Sequence, residues 1–81
     1  MNAKILIVED EPAIRELIAV NLRHAGYTVS EAETAEAARI LLGAGLPDLV
    51  LLDWMLPGQS GIEFARKLRA EARTAKLPIV M

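Results

Sequence analysis

Apolar residues recur in this sequence with two different periods, and the switches between them mark out the elements. Lys4-Ile5-Leu6-Ile7-Val8 and Leu49-Val50-Leu51-Leu52 contain unbroken apolar runs, the pattern of strands covered on both faces in a parallel sheet. Tyr27 to Ser30 reads as a second, shorter strand, and Pro78-Ile79-Val80-Met81 as a fourth. Between the strands the spacing becomes helical. Ile14, Leu17, Ile18 and Leu22 form one stripe, Ala35, Ala38, Leu41 and Leu42 a second, and Ile62, Ala65 and Leu68 a third.

Punctuation agrees with these periods. Pro12 suits the first turn of a helix, where its missing N–H is not needed, and Gly26 suits the residue after its end near Ala25. Thr34 caps the second helix, with Gly43 and Gly45 ending it. Ser60-Gly61-Ile62-Glu63 has the form of a capping box, and the helix it opens runs to about Ala72. The order is β-α-β-α-β-α-β, which calls for a doubly wound parallel α/β sheet with right-handed crossovers. With strand two outside strand one, and strand three on its other side, the strand order is 2-1-3-4. A topological switch point then lies at the carboxyl ends of strands one and three.

Both of those strands end in acid. Glu9-Asp10-Glu11 follows the first and Asp53 the third, so Glu9 and Asp10 face Asp53 across the switch point. Two carboxylates about 5 Å apart repel by roughly 3 kcal/mol at an effective dielectric of 20, and a third worsens the conflict. Lys4, Lys67 and Lys76 fall at strand starts or on the third helix and do not relieve it. A hard divalent cation with oxygen ligands does, and Mg²⁺ commonly takes one or two carboxylates while keeping several waters. It also leaves an Asp53 oxygen free to act as a nucleophile toward phosphorus. The structural alternative is that Glu9 to Glu11 cap the first helix and Asp53 ends a strand. Two acidic clusters placed in order around one switch point favour a site.

At this level of detail the chain resembles the N-terminal receiver domain of bacterial two-component response regulators. The likeness covers the whole sequence: Ile5 to Glu11, the Leu-Leu-Asp ending at Asp53, and Met55-Leu56-Pro57-Gly58 followed by Gly61. The Leu51 to Gly58 block with Ser60-Gly61-Ile62 is most similar to the phosphate-regulon branch of the subfamily with winged-helix DNA-binding outputs. The resemblance implies a flavodoxin-like receiver fold, 2-1-3-4-5 when all five strands are present. It implies Asp53 as phospho-acceptor and catalytic nucleophile. Mg²⁺ would be bound by Asp10, Asp53 and the backbone carbonyl of Met55, with Glu9 acting through a water. The implied phosphoryl donors are a sensor histidine kinase, docking around Ile14, Arg15 and Ile18, or a small acyl phosphate. The implied role is signalling rather than enzymatic turnover, with transcription as the output.

Five strands and five helices make up a receiver of this family, which also places a Thr or Ser beyond strand four and a Lys at the end of strand five. Residues 1–81 stop before both, so the expectation is a partial receiver without the last helices, the fifth strand or a DNA-binding domain; DNA would be reached only through such an output domain. Losing one fixed positive partner for the phosphoryl group would cost roughly 3–4 kcal/mol of transition-state stabilisation. Helix one alone would cover its face of the sheet, leaving strands three and four bare there and strand four an open edge, so self-association is expected. An alternative therefore stands beside the phospho-acceptor: a receiver-shaped association or folding module without phosphorylation competence.

Composition narrows the field further. The 81 residues are 53% hydrophobic with a formal net charge of −2 and no cysteine. They offer no basic patch for nucleic acid, no disulfide framework and no thiolate metal site. No run approaches the roughly 20 apolar residues of a membrane span, and no signal-peptide layout opens the chain; a cytoplasmic protein is expected. A phosphohydrolase built on an Asp nucleophile would want a second acid two positions on, where Met55 stands. A nucleotide or flavin domain would want a Gly-rich turn in place of Glu9 to Pro12. His24 reads as a helix-end cation, Trp54 as rim packing and the Met55 thioether as loop packing. Arg66, Lys67, Arg69, Arg73 and Lys76 read as a solvated face, and Arg15 and Glu16 as solvent-facing.

Overall fold

The two apolar runs form the centre of a parallel sheet. In the computed structural model, which describes residues 2–81, β1 (Lys4–Val8) lies between β2 (Thr28–Ala32) and β3 (Leu49–Leu52). β4 (Ile79–Val80) pairs with β3 through Val50 and Leu51. The order is β2-β1-β3-β4, all parallel, as the alternating pattern requires. α1 (Pro12–His24), α2 (Ala35–Ala44) and α3 (Gly61–Ala70) make the crossovers.

Alternation along β1 feeds two separate cores. Leu6 and Val8, with Val50 and Leu52 of β3, face α2 and α3 and join Ala35, Ala38, Leu42, Phe64 and Leu68. Ile5 and Ile7 face α1 and meet Ala19, with Ile18, Leu22, Leu49 and Leu51 packed around them. Leu49 and Leu51 are only half-buried, so β3 is fully covered on one face and not on the other. Half-burial lies between the two expectations, a β3 closed on both sides and one left bare beside α1.

Several boundaries shift for identifiable reasons. β2 begins at Thr28 and continues to Ala32, because Val8 of β1 pairs as far as Ala32; polar residues are tolerated on this edge strand. α2 runs through Gly43 and ends at the Gly45 cap, where the N–H donates to the Leu41 carbonyl (3.3 Å). α3 buries Gly61, Phe64 and Leu68, while Ile62 is exposed. The large Phe64 ring sets the phase of this helix, with the Arg39 guanidinium 5.6 Å from its centroid. α3 also stops at Ala70 instead of Ala72. The turn that follows is held by buried Thr74, whose hydroxyl donates to the Leu68 carbonyl (2.6 Å). Arg69, expected on a solvated face, donates to the Thr74, Ala75 and Leu77 carbonyls (3.4, 3.2 and 2.6 Å). Among the described residues no helix is long and apolar enough to cross a membrane.

Candidate functional site

Val8 and Leu52 are register partners, so the ends of β1 and β3 lie side by side and the residues after them leave the sheet together. The Asp53 N–H donates to the Val8 carbonyl (2.9 Å), extending the ladder by one rung and fixing this acid at the edge. On the other side of β1, the Glu9 N–H donates to the Ala32 carbonyl (3.0 Å). Carboxylate oxygens of Glu9, Asp10 and Asp53 consequently lie within 4.8 Å of one another. Glu9 and Asp53 are half-buried and Asp10 is exposed. The three acids that the sequence places at the switch point do meet there.

Capping accounts for only one residue of the first cluster. Glu11 is the N-cap of α1, its side chain accepting from the Ala13 N–H (3.4 Å). Glu9 accepts from the Glu11 N–H (3.1 Å) and still reaches the acidic site. Partial burial pushes the Glu9 carboxyl above its ordinary value. The Asp53 and Asp10 carboxyls push it the same way, against the lowering effect of the Glu11 N–H. This is the response expected of crowded carboxylates with oxygen donors suited to a hard cation.

The segment after Asp53 loops outward. Trp54 is 58% and Met55 80% exposed, while Leu56 turns inward and is buried. Neither Trp54 nor Met55 therefore packs its side chain as expected; Leu56 fills that place. A groove of about 290 Å³ opens beside the acids, lined by Ile7, Ile18, Leu51, Asp53, Trp54 and Val80. The loop closes where the Gly61 N–H donates to the Trp54 carbonyl (2.8 Å). A Cβ at Gly61 would collide with the Asp53 carbonyl oxygen and stand 2.9 Å from its carbon. Gly61 thus permits a close approach of α3 to the end of β3 that periodicity does not disclose; its place in the Met55 to Gly61 motif is the signal that points to it.

Arg15 differs most from its reading as solvent-facing. Its side chain retains 18% exposure. Nη1 donates to the Glu9 carbonyl (2.8 Å), and Nε lies 3.5 Å from a Glu31 carboxylate oxygen. Of the other residues expected to form a docking face, Ile14 is exposed and Ile18 is half-buried against Ile5, Ile7 and Ala19.

Comparison with known proteins gives this geometry a family. The profile of the response regulator receiver domain matches residues 5–81. The phosphate regulon transcriptional regulatory protein PhoB of Pseudomonas aeruginosa is 54% identical over 77 residues, 95% of this chain and 34% of that protein. PhoB of Escherichia coli is 47% identical over 81 residues, 100% of this chain and 35% of its own length. The chain thus spans about a third of the length of these curated relatives. Among solved structures, the chemotaxis response regulator CheY4 of Vibrio cholerae superposes with a TM-score of 0.92 at 29% identity, covering 98% of this chain and 66% of that one. The response regulator TrrA of Thermotoga maritima, solved in complex with Mg²⁺-BeF, gives 0.81 at 42% identity, covering 90% and 63%. The sheet is therefore the flavodoxin-like one of receivers, in the order 2-1-3-4. Profile and backbone agree across nearly the whole sequence, and this chain belongs to the response regulator receiver domain family.

Proposed function

We propose that residues 1–81 form the acid-bearing part of a receiver domain that accepts a phosphoryl group on Asp53 and thereby controls a transcriptional output. The observation that carries this reading is the meeting of the Glu9, Asp10 and Asp53 carboxylates within 4.8 Å at the carboxyl edge between β1 and β3. Such a donor set fits Mg²⁺, which Asp10, Asp53 and the Met55 backbone carbonyl would hold, with Glu9 acting through a water. When bound, the ion offsets the mutual repulsion of the acids and the charge of the incoming phosphoryl group. The Thermotoga relative solved with Mg²⁺-BeF supports that choice of ion.

The chain itself supplies the nucleophile. An Asp53 carboxylate oxygen attacks phosphorus and an O–P bond forms. The P–N bond of a kinase phosphohistidine, or the P–O bond of a small acyl phosphate, breaks, and imidazole or carboxylate leaves with the electron pair. The bond from Asp53 N–H to Val8 keeps the nucleophile from swinging away with its loop. A sensor histidine kinase would dock on α1 at exposed Ile14, with Arg15 and Ile18 as the inner border of the patch. DNA would be engaged through an output domain such as those of the PhoB relatives, and the setting would be the cytoplasm.

Intact-mass analysis after incubation with Mg²⁺ and acetyl phosphate tests this reading. One added phosphoryl group is expected, absent without Mg²⁺ and absent from Asp53→Asn. A folded chain, by circular dichroism, that gains no mass would refute it. The second reading, an association module without phosphoryl transfer, draws support from half-buried Leu51 and from exposed Val80 and Met81 along the open edge of β4. Copies of the chain would associate through that face.

A further inference from the structure

Two of the three site acids sit on the short link between β1 and α1, and something must hold that link against their repulsion. Glu9 is anchored at three points. Its N–H donates to Ala32 and its side chain accepts from the Glu11 N–H. Its carbonyl accepts from Arg15 Nη1 at 2.8 Å. The first two bonds are local or belong to the sheet. The third crosses from the first turn of α1, and the same guanidinium lies 3.5 Å from Glu31 near the end of β2. Glu31 is itself the register partner of Ile7 and also pairs with Arg23 (3.1 Å). Arg15 therefore ties α1, β1 and β2 together at the residue that starts the acidic link.

Resting on the Mg²⁺-dependent reading above, we infer that Arg15 is a positioning residue for the cation site, acting through the Glu9 backbone. A guanidinium fits this task because its rigid fork serves a carbonyl and a carboxylate at once, which an ammonium on a flexible stem does less well. Asp10, exposed and next in the chain, is placed by what fixes Glu9 and Glu11 on either side of it. Outer groups that orient metal ligands affect affinity strongly even though they never touch the ion.

The sign of the effect separates positioning from charge. Removing a cation near an acidic cluster should, by long-range electrostatics alone, strengthen cation binding. Loss of positioning should weaken it. Mg²⁺ affinity is measured by calorimetry and by the fluorescence of Trp54, the single tryptophan, which adjoins Asp53. Arg15→Ala is expected to bind Mg²⁺ about 10-fold more weakly, and Arg15→Lys to recover part of that loss. Arg23→Ala removes the same charge and a bond to the same Glu31 but has no bond to Glu9; its affinity should stay unchanged or rise. Arg15→Ala binding as tightly as the parent would overturn the inference, even if its melting temperature fell. Equal weakening by Arg23→Ala would overturn it too. If the parent chain shows no Mg²⁺ response, the receiver reading itself fails and this inference with it.

Discussion

Gly61→Ala adds one methyl group at a point where there is no room for it. Gly61 opens α3 directly behind the Ser60 cap. The added carbon would collide with the Asp53 carbonyl oxygen, and would stand 2.9 Å from the Asp53 carbonyl carbon and 3.1 Å from the Trp54 Cα. Unstrained carbon contacts lie at roughly 3.5–4.0 Å. All three atoms are backbone, so no rotamer change relieves the overlap. Either α3 retreats from the end of β3 or the Asp53–Trp54 peptide turns. Both movements break or lengthen the 2.8 Å bond from Gly61 N–H to the Trp54 carbonyl. Overpacking of this kind costs about 3 kcal/mol at the upper end of its usual range. Replacing Gly by Ala in a helix returns up to about 1 kcal/mol, leaving a net loss of about 2 kcal/mol. In a domain of this size that is a fall in melting temperature of about 10 °C. Gly43→Ala is the internal control, since it lies within α2 and a Cβ there meets nothing within 4 Å. It should stabilise by about 0.5–1 kcal/mol. Urea denaturation followed by circular dichroism gives both values. Opposite signs are expected; a shift of both variants in the same direction would refute the close-approach argument. A Mg²⁺ titration of Gly61→Ala, run well below its melting temperature, should also show weakened binding, because Met55 is carried on the displaced loop.

Asp53→Asn should raise stability without Mg²⁺, since it removes one member of a group within 4.8 Å. The Coulomb term is about 1 kcal/mol per pair in water, and solvent screening holds the gain to that order; thermal melts with and without Mg²⁺ should show the ranking reversed at saturating ion. Because the Glu9 carboxyl sits above its ordinary 4.5, the folded chain holds more protons than the unfolded one between 4.5 and that raised value. Its contribution to stability is complete below 4.5 and is lost as pH rises through this window. Glu9→Gln should therefore be more stable than the parent at about pH 7 without Mg²⁺, and equal to it at about pH 4; urea midpoints at the two pH values check this, and equal differences at both would count against it. Val80→Lys places a charge on the exposed edge strand, and sedimentation velocity over a concentration series should show less association than the parent chain does.

Most of the site was legible because its acids are punctuation. Glu9 and Asp10 end one apolar run and Asp53 another, and the parallel order brings run ends together regardless of loop detail. Helix faces were less legible where small residues carry the burial. Ala19 is the buried residue of α1; Ile18 and Leu22 pack beside it as the spacing predicts, whereas Leu17 and Ile14 are exposed, so apolar periodicity was right for half of the stripe and missed its smallest member. In α3 Phe64 took the place expected of Ile62, since burying the largest ring sets the phase of the helix, while Ala65 and Leu68 pack as the spacing predicts. The structural roles of Arg15 and Gly61 escaped the hydrophobic pattern for a different reason. One acts through a backbone carbonyl six residues away, the other by having no side chain, and neither leaves a mark on hydropathy.

Within residues 2–81 the two faces of the sheet pack unequally behind the acids. Among the described residues, twelve buried side chains pack the α2 and α3 face, against three on the α1 face. The stiff face grips the residues before the site: Val8 and Leu52 belong to it, and each is followed by an acid. Separation of Glu9 from Asp53 is therefore set by core packing and by the β1–β3 ladder, and a ligand at the edge cannot easily change it. What a ligand can move lies outward, where Trp54 and Met55 stand between the Asp53 and Gly61 anchors with little packed against them. Without Arg15 the β1–α1 link would keep its bonds to Ala32 and within the Glu9–Glu11 turn but lose its side-chain tie to α1. A charge arriving at Asp53 would on this argument displace the β3–α3 loop first. The strand ends themselves would serve as the fixed frame against which that movement is read.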